Sequence, residues 1–167
     1  MSAEIIVTAA AVKKIDIRIT LISPWGGTSD PLYLGIITKF GGREFPLRYN
    51  SSGITLADGE TYMFGINSTS LSEQQQIYGS QDNAPNHIKA YPLHNVQRVY
   101  LRKEPRNESS TNDDALGVDS FAAFLTHEDD QVVDWSNRNL PDSSGPSPFW
   151  LGNEYGQIVY FTPEAAS

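Results

Sequence analysis

Apolar residues recur at every second position in short runs along this chain, and no other feature restricts its fold so strongly. Ile15, Ile17, Ile19 and Leu21 alternate with Asp16, Arg18 and Thr20; Tyr62, Phe64 and Ile66 alternate with Met63 and Gly65. Val99 and Leu101 face away from Arg98, Tyr100 and Arg102. A period of two puts one set of side chains on a core and the other toward water, which a helix cannot do. The pattern predicts further strands over 32–38, 43–48, 119–126, 131–135 and 156–162. Turn residues separate them: Phe40-Gly41-Gly42, Ser51-Ser52-Gly53, Asp58-Gly59 and the run His127-Glu128-Asp129-Asp130. No long amphipathic helix intervenes, so the expected fold is all-β, an antiparallel eight-stranded β-sandwich.

Residues 67–95 break the rhythm. They are polar, contain two prolines and have no clean period, apart from a short helix expected over 71–78 behind Ser70 or Ser72. We read the stretch as one long insertion in a single domain spanning 1–167, because 167 residues suit one core. Residues 103–114 and 137–148 read as loops.

Charge narrows the function. The formal net charge is −8, the wrong sign for a nucleic-acid partner. It also opposes simple adsorption to anionic lipid, unless a bound divalent cation reverses the local sign. Cysteine is absent, which removes disulfides and thiolate metal sites. The first residues place an acid before a short apolar run and basic residues after it, the reverse of a signal peptide, and the run is too short to cross a bilayer. Any membrane association is expected to be peripheral.

Catalytic patterns do not emerge. His87, His94 and His127 lack metal-ligand spacing and read as solvated loop residues. Asp113 with Asp114, and Asp129 with Asp130, are the only paired carboxylates considered for acid–base work, and the second pair reads as an exposed turn. The segment Pro24–Gly35, PWGGTSDPLYLG, is more informative. Pro24, Gly26 and Gly27 make a turn. Thr28, Ser29 and Asp30 then supply oxygen atoms of the kind calcium prefers. Trp25 stands beside them, an amphipathic ring suited to a lipid interface. A plain interstrand turn with a half-buried Trp accounts for the same residues.

GTSDPLYLGIITK, DGETYMFGI, VQRVYLRK and DDALGVDSFAAFL, in that order, resemble successive landmarks of the PLAT (polycystin–lipoxygenase–alpha-toxin) family, and of its alpha-toxin branch in particular. The resemblance covers roughly residues 13–135. It implies an eight-stranded antiparallel sandwich that attaches to membrane lipid, sometimes through calcium held at one end, and that serves a protein partner or forms a toxin component. Gly27, Thr28 and Asp30 match the family's first loop, although Ser29 stands where Asp is frequent. Asp114 and Ala115 match a downstream pair supplying a carboxylate and a carbonyl. An Asn/Asp pair expected before the Thr-Tyr strand is met only by Asn50, one residue out of place. Calcium is the cofactor the resemblance implies, and Trp25 is the residue expected at the membrane. The competing readings are an enzyme or enzyme accessory with a small-molecule pocket at the sandwich end or in the insertion, and a carbohydrate-binding module using Trp25, Trp150 and Tyr155.

Overall fold

The structure is a computed structural model that describes residues 10–47, 56–67, 93–104, 115–139, 148–152 and 154–165. Nine strands are present in these residues: β1 (Val12–Leu21), β2 (Leu32–Thr38), β3 (Gly41–Leu47), β4 (Thr61–Asn67), β5 (Val96–Lys103), β6 (Leu116–His127), β7 (Val132–Ser136), β8 (Phe149–Leu151) and β9 (Ile158–Ala165). All pairs are antiparallel, and eight strands follow the order β3-β2-β5-β9-β7-β6-β1-β4, with the short β8 added beside the start of β6. β9 folds this path into a sandwich. Its first half, Ile158 to Phe161, pairs with β5, and its second half, Thr162 to Ala165, pairs with β7. A strand that changes partners in this way makes a corner between two packed layers.

The alternation seen in the sequence is the alternation of burial. Ile15, Ile17, Ile19 and Leu21 of β1 are buried and pack with Phe64 and Ile66 of β4 and with Phe121, Ala123 and Leu125 of β6. Leu32, Leu34 and Ile36, Phe45 and Leu47, and Val99 and Leu101 come from the other layer. Phe121 stacks on Phe161 with ring centroids 4.2 Å apart, across the change of layer in β9. Each large apolar side chain removed from water contributes about 1.5–3 kcal/mol, so these residues supply the driving force for closing the layers. Tyr62 is half-buried and packs against the same core.

On the outer side of β5, Arg102 forks onto Glu44 through Nε and Nη2 at 2.7 and 2.8 Å, and the Tyr100 hydroxyl donates to the same carboxylate at 2.9 Å. Burial first, and then the hydrogen bond to Glu44 and the charge there, push the Tyr100 hydroxyl up to about 12. These polar groups tie β3 and β5 together over the strand between them. β3 lies at one end of the strand order, where Pro46 costs no ladder bond to a further strand.

β8 is a strand that the pattern did not foretell, short because only three residues pair with Leu116–Val118. Three local expectations are corrected. Gly41 and Gly42 begin β3 instead of ending the turn before it. His127 is not solvated: it ends β6, is buried, and its Nδ1 lies 2.8 Å from the Ala10 carbonyl oxygen. Lys103 belongs to β5 and not to a loop, and it continues the inward set Val99, Leu101, Lys103. The body of the insertion, including the helix expected over 71–78, and His87, Asn50, Asp113 and Asp114 lie outside the described residues.

Candidate functional site

β1 and β6 bring the Pro24–Asp30 segment to one end of the sandwich. Ile22 N–H donates to the Gly117 carbonyl at 3.0 Å, and Gly117 N–H returns a bond to the Gly26 carbonyl at 3.0 Å. Gly26 N–H also donates to the Ile22 carbonyl at 3.1 Å, closing a turn around Trp25. The turn is so tight that a Cβ on Gly26 would lie 2.2 Å from the Ile22 oxygen. Trp25 itself takes φ 78°, a left-handed conformation that side-chain-bearing residues rarely adopt.

Asp58, from the turn before β4, holds this conformation. Its Oδ2 accepts the Trp25 N–H at 2.9 Å and its Oδ1 accepts the Gly27 N–H at 2.6 Å. Those two bonds, Trp25 first, hold the Asp58 carboxyl below its ordinary range. Thr28 and Leu56 exchange a pair of backbone bonds at 3.0 and 2.8 Å, which fixes the far side of the loop. The outcome is a fastened backbone carrying an indole that remains 79% exposed. Backbone strain of this sort persists only where the surroundings over-determine it, and it concentrates at working sites.

Two further aromatic residues sit at this end. The Trp150 ring lies on Gly117, where a Cβ would meet ring carbons at 2.8 Å. Tyr155, at the tip of the turn closed by Gly152 and Gly156, has its ring centroid 5.9 Å from that of Trp150 and is 59% exposed. Gly117 therefore contacts the Trp25 loop through its backbone and Trp150 through its face. The sequence carried Trp25, Trp150 and Tyr155 only as separate residues; the pairing of β8 with β6 is what gathers the last two beside the Trp25 loop.

The oxygen-rich half of the loop is built differently. Asp30 is buried, with its side chain 5% exposed, and its Oδ2 lies 2.5 Å from Nζ of Lys103, whose side chain is fully buried. Thr28 is buried too, and its hydroxyl accepts the Asp30 N–H at 3.1 Å. Ala115 is half-buried immediately before β6, while Asp114 lies outside the described residues. Gly27, Thr28, Asp30 and Ala115 as placed do not fit a calcium ion. The Asp30 carboxylate already faces an ammonium, and a dication beside that ammonium would meet like charge. Among the described residues no group of three or more His, Asp or Glu side chains is placed to hold a metal.

Asp58 and Lys103 are the residues that reading the sequence missed. Asp58 was visible only as half of an Asp-Gly turn. Lys103 had a signal, since the period of two through Val99 and Leu101 already points it inward. The remaining paired carboxylates form the β6–β7 turn: Gln131 N–H donates to Asp129 at 3.2 Å, and Asp130 forms an ion pair with Lys13. Both are exposed.

No protein-family model matches the sequence, and no curated protein matches it. Solved structures do share its fold. A lipoxygenase variant in complex with arachidonate superposes with a TM-score of 0.52 at 11% identity, over 92% of this chain and 17% of its own. Alpha-toxin from Clostridium absonum gives 0.51 at 14% identity, over 93% of this chain and 32% of its own. Clostridium perfringens alpha-toxin from the avian strain SWCP gives 0.52 at 15% identity, over 96% and 34%. The chain thus spans about a sixth of the lipoxygenase and a third of each toxin. At these identities the likeness is one of fold, and the fold of this chain is the PLAT-like β-sandwich that the lipoxygenase and alpha-toxin structures contain.

Proposed function

We propose that this chain is a lipid-attachment module and that Trp25 is its point of entry into the membrane interface. The observation that carries the reading is the fastened, exposed Trp25. Phe40, in the β2–β3 turn, is as exposed at 78%, but the Trp25 loop is held from a distant turn by the Asp58 carboxylate, which accepts the Trp25 and Gly27 N–H groups and so fixes where that ring stands. A ring already held in place loses little conformational freedom on binding. Tyr155 adds a second amphipathic ring at the same end. No helix among the described residues is long and apolar enough to cross a membrane, so attachment in this reading is by loops. The chain would then deliver a separate protein partner to lipid, a toxin's catalytic part being one such partner.

Vesicle co-sedimentation with Trp25→Ala tests the reading. The wild type should bind phosphatidylcholine vesicles, with a blue shift in tryptophan emission. The variant should lose affinity while melting at the same temperature. Asp58→Ala keeps the ring but releases the loop, and it should weaken binding less than Trp25→Ala does. A wild type that ignores vesicles but binds glycans through Trp25, Trp150 and Tyr155 would replace lipid with carbohydrate; the tilted Trp150–Tyr155 pair is the observation favouring that second reading.

A further inference from the structure

We infer that the Trp25 end engages an electrically neutral lipid surface without calcium, because Lys103 supplies from inside the fold the positive charge that a bound cation would supply from outside. The inference rests on the lipid reading above and adds to it the class of surface and the independence from metal.

Lys103 is the last residue of β5 and pairs in register with Leu32, the first residue of β2. Its neighbours on the inward side of the strand, Val99 and Leu101, are fully buried. The side chain therefore leaves an apolar layer and ends at Asp30, the last acidic residue of the loop that carries Trp25. A fully buried ammonium and a buried carboxylate in contact neutralise each other, and removing either leaves the other as an uncompensated interior charge. The backbone at the same place is tied as well. Lys103 N–H donates to the Gln157 carbonyl at 2.9 Å, and Glu104 N–H donates to the Pro31 carbonyl at 2.9 Å. The Asp30–Pro31 end of the loop is thus fastened to β5, which is itself tied to the approach to β9, while the Ile22–Gly27 end is held by Gly117 and Asp58. A cation is not needed to order it.

The surface charge then decides which lipids are suitable. Asp58, Glu60, Glu104 and Glu154 are exposed around this end, and the whole chain carries −8. With the Asp30 charge cancelled internally and no dication to bridge, an anionic leaflet repels this end. A zwitterionic leaflet does not, and it still accepts the indole and the tyrosine at its headgroup level.

The experiment uses the full chain with phosphatidylcholine vesicles, and with phosphatidylcholine–phosphatidylserine vesicles, each in millimolar calcium and in chelator. Binding to phosphatidylcholine should be equal in both buffers. Adding phosphatidylserine should weaken it severalfold at low salt, and raising the salt should restore it. Binding that requires calcium, or that strengthens with phosphatidylserine plus calcium, overturns the inference and leaves the lipid reading standing. No binding to any vesicle overturns the lipid reading instead, and melting then judges the loop by itself. The wild-type Tm should be the same in calcium and in chelator. A calcium-induced rise that disappears in the paired variant Asp30→Asn/Lys103→Met, which removes both charges and so tolerates folding, overturns the inference. Lys103→Met alone should lower Tm by on the order of 10 °C, and the paired variant should recover part of that loss.

Discussion

Trp25 and Asp30 lie five positions apart in one loop, and each is placed against its own polarity. The indole is in water and the carboxylate is in the interior. Neither placement follows from the residue type. Asp58 holds the Trp25 backbone in a left-handed conformation from outside, and Lys103 meets the Asp30 charge from inside. The contrast teaches that the loop has two functions separated by five positions of chain: its first half displays a ring, and its second half anchors that display to the core. A polar residue in such a loop is no guide to a ligand until its partner is known.

The contrast can be broken most severely by giving β5 an interior acid that has no lysine to meet it. Val99→Asp puts a carboxylate four positions before Lys103 on the same inward face, where Val99 is fully buried. Several kcal/mol of desolvation should leave the domain unfolded, as read by loss of its strand circular dichroism at room temperature. Next in size is the pair itself. Lys103→Met should destabilise by about 3–5 kcal/mol in denaturant melts, because it orphans Asp30. Combined with Asp30→Asn, the loss should be clearly less than the sum of the two single losses, and strict additivity would mean that the two groups do not interact.

Trp25→Ala probes the other half of the loop. It should leave stability within about 0.5 kcal/mol and cost roughly 1–3 kcal/mol of vesicle affinity if the ring is buried in lipid. A variant that instead melts much earlier would place the ring's contribution in the fold.

The smallest effect sharpens the comparison with a second buried acid. Asp134 in β7 is buried, stands opposite Glu164 in register, and its Oδ1 has no hydrogen-bond partner among the described residues. Burial chiefly, with Glu164 adding to it against the opposing pull of Arg138 and Ser136, raises its carboxyl above the usual value. The folded state therefore holds the proton more tightly than the unfolded one. Stability should fall as pH rises from the unfolded value through the raised one. Asp134→Asn should gain roughly 1 kcal/mol above that window and nothing below it, which chemical denaturation across acidic and neutral pH would read. Asp30, with its lysine, should show no comparable gain on replacement by Asn.

Much of the fold was legible because its signal is local. The alternation in β1, β4 and β5 needs only neighbours two positions apart, and hairpin turns between β2 and β3 and between β6 and β7 announce themselves by Gly or Asp runs. β8 was not legible: three residues, Phe149 to Leu151, are too short a run to show a period, and they are a strand only because β6 offers Leu116–Val118 as a partner. Trp25 stood out in its turn, but its exposure could not be read from a turn that suits a half-buried ring equally well.

The sequence by itself determined the β class, the parity of each inward and outward face, and one stretch, residues 24–35, rich in glycine, oxygen and aromatic residues. Those are consequences of spacing along one chain. Only the tertiary structure decided that Gly117 joins the Trp25 loop to Trp150, that Asp58 fastens the loop, and that Asp30 answers Lys103. Each of these contacts joins residues 31 or more positions apart, and the sign of a buried site depends on which charge the fold brings to it.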